Sequence, residues 1–238
     1  MRVFAISDLH LSFNTDKPMD VFGEKWENYE LKIKENVANQ LNDDDILIIA
    51  GDLSWAMQMA DAGRDLEFIG SLKGKKILVR GNHDYWWKAI SSVREKVEPL
   101  NCYALQNDSV KIGKFVFAGT RGWVIPEPGK GLSEEDQKIY NRELIRLEMA
   151  LENATKLCEE GDEIIAVLHY PPFNSALESN EFTELLEKYG VSKCVYGHLH
   201  GKTKYASSVQ NKNGINYFLS SCDKIYFSPV LIAEDEES

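Results

Sequence analysis

The 238-residue chain has five histidines, and the company they keep is the first chemical signal it offers. His10 closes Asp8-Leu9-His10, His83 sits inside Gly81-Asn82-His83-Asp84, and His198 and His200 flank Leu199 behind Gly197. His169 stands alone, and Asp52 follows Gly51. Each of these groups comes directly after a short apolar run. Imidazole, carboxylate and carboxamide together suit borderline cations such as Mn, Fe, Zn or Co. No thiolate accompanies them, which argues against a closed structural zinc site. Alternate residues of an extended segment share a face, so His198 and His200 can address two adjacent ions. The glycines before Asp52, Asn82 and His198 are expected to let the backbone turn sharply and aim the next side chain.

Taken singly, these motifs have ordinary explanations. A lone histidine is more often a packing or surface residue than a ligand, and Gly-Asp after a strand is commonly a turn. Their joint placement is harder to explain that way, because every histidine of the chain would have to fall at a strand exit by accident.

The runs that precede them, 3–6, 46–50, 77–79, 164–168 and 194–196, have the length and β-branched content of buried strands, as does 115–118. Between them lie amphipathic stretches. Trp26, Tyr29, Ile33, Val37 and Leu41 recur at helical spacing, as do Tyr140, Leu144, Leu147, Leu151, Ala154 and Cys158. Alternating strands and helices imply α/β layering. Beyond Asn101 the pattern becomes strand-rich, with further short strands expected over 202–232, and two sheets sandwiched between helices accommodate the mixture. Ligands of open α/β sheets bind beyond the carboxyl ends of strands, so these exits should bring their polar side chains to one edge. Residues 1–232 read as a single domain, with the Gly- and Pro-rich segment 121–133 as a long loop at a substrate rim. The acidic stretch 233–238 reads as a disordered tail.

The ordered series Asp8-x-His10, Gly51-Asp52, Gly81-Asn82-His83-Asp84, His169 and Gly197-His198-x-His200 resembles the calcineurin-like metallophosphoesterase superfamily. The resemblance spans residues 8 to 200 and implies a four-layer α/β/β/α sandwich with two mixed sheets. It also implies one metal ion held by Asp8, His10, Asp52 and His200, and a second held by Asp52, Asn82, His169 and His198. Asp52 would bridge them, and Mn, Fe or Zn would be the expected ions. Two cations about 3.5–4 Å apart activate a bridging water as hydroxide and clamp a phosphoryl group for in-line attack. His83 would face the substrate as the catalytic imidazole, with its tautomer set by Asp84. Leu53, Ser54 and Trp55 stand where many members carry a further acidic residue. Arg80-Gly81-Asn82-His83 echoes the serine/threonine protein phosphatases, although those continue with Glu where this chain has Asp84.

Composition narrows the substrate. A formal charge of −11 and the lack of a Lys/Arg tract disfavour nucleic acid, whose binding rests on cationic contacts to phosphates. A small phosphorylated molecule or a phosphoprotein remains, because bound cations reverse the local sign. A phosphomonoesterase leads, and a phosphodiesterase acting on cyclic nucleotides is its nearest rival. A non-enzymatic scaffold, the role of the retromer subunit that resembles this fold, is disfavoured because every ligand position is filled. Arg80 and Arg121 are candidate phosphate contacts, and Trp123 a candidate pocket residue. Trp86, Trp87, Tyr170 and Phe173 also flank the motif loops. Neither a signal peptide nor a membrane span is readable, and the four scattered cysteines suit free thiols in a reducing cytoplasm.

Overall fold

The computed structural model describes residues 1–201 and 209–235. Its first sheet takes the earliest apolar runs, β1 (Arg2–Ile6), β2 (Ile46–Ala50) and β3 (Lys75–Val79), followed by β4 (Cys102–Leu105). These four strands are parallel, and β11 (Val230–Glu234) closes the sheet antiparallel to β1, in the order β11-β1-β2-β3-β4. The second sheet holds β5 (Asp108–Ile112), β6 (Phe115–Gly119), β7 (Glu163–Val167), β8 (Lys193–Tyr196), β9 (Val209–Lys212) and β10 (Ile215–Leu219). Its order is β5-β6-β7-β8-β10-β9, with β6, β7, β8 and β10 parallel and antiparallel strands at both edges. Both sheets are therefore mixed.

Strand periodicity explains the layers. One face of the first sheet, including Val3, Ala5, Ile46, Ile48, Ile77 and Val79, packs on Phe115, Phe117, Ile165, Val167 and Val195 of the second. The alternate residues Phe4, Leu47, Ile49 and Leu78 turn outward onto α1 (Tyr29–Gln40), α2 (Gly63–Ser71) and α3 (Ile90–Val97). On the far side, Val116, Ala118, Ile164, Ala166 and Cys194 meet α4 (Glu134–Leu157) and α5 (Glu181–Lys188). Strands buried on both faces read as continuous apolar runs, and these runs carry the α/β/β/α sandwich.

The helical spacings hold inside the helices, where Tyr29, Ile33 and Val37 line the buried face of α1, and Tyr140, Leu147, Leu151 and Ala154 that of α4. Trp26, however, belongs to a separate 3-10 turn (Glu24–Trp26), and Leu41 and Cys158 fall just past the helix ends. Ser133 caps α4 by accepting from the Asp136 N–H, and Asn180 with Thr183 forms a capping box on α5. The acidic-tail assignment needs correction. Ala233 and Glu234 are the last residues of β11, paired with Val3 and Arg2, while 236–238 lie outside the described residues. Of the strand-rich stretch 202–232, residues 202–208 also lie outside. Among the described residues, no helix is long and apolar enough to cross a membrane.

Candidate metal centre

Residues from five strand exits converge beyond the carboxyl ends of β1, β2, β3, β7 and β8. Asp8, His10 and His200 form one group and Asp52, His169 and His198 a second, each with its ligand atoms within 4.8 Å of one another. In the first, His200 Nε2 lies 3.3 Å from Asp8 Oδ1 and 3.4 Å from His10 Nε2. In the second, His198 Nδ1 lies 3.3 Å from His169 Nε2. Asn82 Oδ1 joins the second group, 2.7 Å from His169 Nε2 and 2.9 Å from His198 Nδ1. Asp52 Oδ2 connects the two, 3.8 Å from His10 Nε2 and 3.5 Å from His169 Nε2.

The loops hold this geometry at a local cost. Asp8, His10, Asp52 and His198 all have positive φ, from 46° to 69°. Non-glycine residues seldom adopt that region, and such strain persists where surrounding contacts over-determine it. Here the contacts are cross-loop hydrogen bonds: Asp8 N–H donates to Gly51 O, His10 N–H to Asp52 O, and Leu11 N–H to Leu53 O, at 2.9 to 3.0 Å. The three glycines serve two purposes rather than one. Gly51 has φ of +90°, as a sharp turn requires, whereas Gly81 and Gly197 do not have positive φ. They are small because a Cβ at Gly81 would collide with Asp52 Oδ1, and one at Gly197 with Asp8 Oδ2 at 2.5 Å.

The electrostatics favour cations. Burial presses His10 down to about 3 and His169 to about 4, so both rings are neutral at pH 7. Burial, then the charges of Asp8 and Asp84, raises Asp52 to about 9, which means that the enclosed site resists a second uncompensated carboxylate. Burial also opposes charge on Asp8, but the hydrogen bond and charge of His200 hold its carboxyl well below the usual range.

The donor atoms fit a metal pair. His169 Nδ1 lies 3.0 Å from the Ala50 carbonyl, which can only accept, so Nδ1 carries the proton and Nε2 presents its lone pair. That lone pair faces Asn82 Oδ1 at 2.7 Å, an acceptor meeting an acceptor that a shared cation would relieve. His200 Nδ1 is likewise held, 2.8 Å from Asp223 Oδ1, which turns Nε2 toward Asp8. Fixing the distal nitrogen in this way is how outer partners orient metal-binding imidazoles. Both groups open onto a cleft of about 340 Å³, where His83 and Lys25 join an apolar wall of Met19, Phe22, Trp26 and Trp55.

Other expected residues fall elsewhere. His83 lies in the cleft, its ring 4.5 Å from Trp55 between centroids, and burial lowers its pKa. Asp84, expected to set the His83 tautomer, instead accepts from Leu53 N, Ser54 N and Trp86 Nε1 on Oδ1 and from Gly81 N on Oδ2. It is a wholly buried clamp between two loops, because four converging N–H donors occupy its oxygens. Arg80 and Arg121 line a separate cavity rather than the cleft. Trp123 donates to Asp136 Oδ1 at 3.2 Å and packs on Tyr170, whose ring lies 4.3 Å from that of His198. The segment 121–133 meets the centre from behind, through the Arg121 carbonyl on the His169 and Tyr170 N–H groups and Trp123 on Tyr170, and supplies none of the cleft lining. Trp86 and Trp87 are core residues. Sequence reasoning missed Asp223, although Ser220-Ser221-Cys222-Asp223 follows β10 just as the other motifs follow their strands.

The family model described as calcineurin-like phosphoesterase matches residues 1–202. No curated protein sequence matches the chain. Among solved structures, it is similar to the protein of unknown function AQ665 from Aquifex aeolicus, at 18% identity, covering 97% of this chain and 95% of that one, with a TM-score of 0.51. It is also similar to TT1561 of Thermus thermophilus, at 15% identity, covering 97% of this chain and 98% of that one, with a TM-score of 0.53. These likenesses establish the shared fold.

Proposed function

Because the chain belongs to the calcineurin-like phosphoesterase family, we propose that it is a phosphomonoesterase acting on small phosphorylated molecules at a two-metal centre. In this reading Asp8, His10, Asp52 and His200 hold one ion and Asp52, Asn82, His169 and His198 the other, with Mn, Fe or Zn suited to the donor set. The observation that carries the reading is the single Asp52 oxygen within reach of imidazoles from both groups. Bound there, two cations would supply an activated water, charge neutralisation and alignment for in-line displacement.

The side chains around them do the rest. The His83 ring, braced by Trp55 and edge-on to His10, lines the cleft, where it would hydrogen-bond the leaving oxygen. Asp84 acts as a positioning residue, since it fixes the backbone on which Asp52, Asn82 and His83 are mounted. Asp223 orients His200. Met19, Phe22, Trp26 and Trp55 give the leaving group an apolar wall, and Lys17 sits over the Trp55 ring at 4.6 Å. A cleft of this size and lining fits a compact ester with an apolar or aromatic portion.

The test compares nitrophenyl phosphate, bis(nitrophenyl) phosphate and a phosphopeptide on Mn²⁺-reconstituted protein, with metal analysis on the same sample. Faster turnover of the monoester is expected. A faster diester, or no hydrolysis with two ions bound per chain, would sink the monoesterase reading.

A further inference from the structure

Beside the metal centre lies a second cavity, of about 240 Å³, between the ends of β3, β4 and β6 and the helix α4. One water needs roughly 10–15 Å³ by the same kind of measure, so the space holds a multi-atom ligand. Four of the chain's seven arginines line it, Arg80, Arg121, Arg142 and Arg146, in a protein whose net charge is −11. A single wholly buried carboxylate, Glu143, faces them.

Glu143 does not satisfy this cluster. Arg146 Nη1 donates to Glu143 Oε1 at 2.7 Å, while Arg121 and Arg142 stand at 3.5 and 3.7 Å from the same oxygen. Thr120 Oγ1 donates to Oε2 at 3.3 Å. Every guanidinium carries five donors and stays charged. Among the described residues, the Arg146 bond is the only hydrogen bond any of the four donates. Arg80 Nε is buried with no acceptor at all. Four positive charges against one negative leave a surplus of three, with unused donors converging on an open space. A purely structural ion pair needs neither the surplus nor the room.

We infer that this cavity is an oxyanion site, distinct from the metal cleft, that takes a phosphate-type group in the fork geometry guanidinium offers. Arg80 directly precedes Gly81-Asn82, and the Arg121 carbonyl accepts the N–H groups of both His169 and Tyr170 at 3.0 Å. An anion held here is therefore one backbone segment away from two candidate metal-binding residues. The occupant is either free phosphate or the second phosphate of a ligand whose first phosphate sits at the metals. The inference concerns binding and does not depend on the proposed reaction.

The experiment follows the side-chain Nε–Hε signals of the four arginines by NMR in the metal-loaded 238-residue chain. Inorganic phosphate is added at constant ionic strength. Saturable shifts at all four are expected. Arg142→Gln, at a half-exposed position, should weaken the fitted affinity by about 10-fold or more while leaving the thermal midpoint unchanged. Glu143→Gln, which removes the internal competitor, should tighten it, whereas Arg146→Gln should weaken it as Arg142→Gln does. Parallel titrations with a hexose monophosphate and a hexose bisphosphate separate the sources. An affinity gain from the second phosphate that is lost in Arg142→Gln identifies the substrate's own group, and equal affinities identify free phosphate. Shifts that fail to saturate, that chloride reproduces, or that persist unaltered in both Arg142→Gln and Arg146→Gln would overturn the site.

Discussion

Replacing Asp223 with alanine probes how the outer partners of the metal centre work. Its carboxylate holds His200 Nδ1 at 2.8 Å, Lys25 Nζ at 2.7 Å and the Gly201 N–H at 3.1 Å, and these bonds keep its own pKa near 2 despite burial. The Lys25 pair is half-exposed on the lysine side and contributes under about 1 kcal/mol. The His200 bond matters more, because it turns Nε2 rather than Nδ1 toward the position an ion would share with Asp8. Loss of such an outer partner typically weakens metal affinity about 10–100-fold, or about 1.4–2.8 kcal/mol at 1.4 kcal/mol per decade. The effect should fall on the ion held with Asp8, His10 and His200. The ion held with Asn82, His169 and His198 should change far less, since His169 is oriented by the Ala50 carbonyl instead. Competition titration of Mn²⁺ or Zn²⁺ against a chelator resolves the two affinities, and Asp223→Asn, which retains an acceptor oxygen, should fall between alanine and the parent. Two unchanged affinities, or two that drop equally, would refute the orientation argument.

His83→Ala should keep both ions by elemental analysis yet lose roughly 10²–10⁴-fold in turnover, because it removes a proton carrier and no ligand. Gly81→Ala should lower metal content and the denaturation midpoint together, since its Cβ overlaps Asp52 Oδ1. Gly129→Ala, with φ of +73° and open space around it, should cost only about 1–2 kcal/mol of backbone strain in a denaturant titration and leave the metals in place. Asp45 is buried, yet hydrogen bonds from the Arg2 side chain and from the N–H groups of Asn42 and Arg2 hold its pKa below the ordinary value. Its stabilising contribution is therefore present above the unfolded carboxylate pKa of about 3.9 and lost as pH falls through the lower folded value. The stability gap between the parent and Asp45→Asn, measured by urea denaturation, should be constant above about pH 5 and narrow in acid.

Much of the sandwich was legible because burial on both faces forces continuous apolar strands, as in Ile46–Ala50, which the structure returns residue for residue. Two strands escaped notice. Cys102–Leu105 and Asp108–Ile112 lie toward sheet edges, where Tyr103 is exposed and Asp108 to Lys111 are half-buried, so their apolar pattern is broken. The chemistry-bearing motifs were legible for a related reason. A short loop after a buried strand has few ways to run, so Asp8, Asp52, Asn82, His169, His198 and His200 had to emerge on one edge once the strands were parallel.

Identity and spacing along the chain thus determined which side chains reach that edge and what kind of ion their atoms suit. Partnership across the chain belonged to tertiary structure alone. Asp84 neighbours His83 in sequence but is spent on backbone donors from another loop. Asp223 meets His200 across 23 residues, and Arg80 and Arg121 turn toward α4 and away from the cleft. A side chain's bonds depend on which donors and acceptors lie within about 3 Å of it, and only the packing of both sheets and their helices decides that.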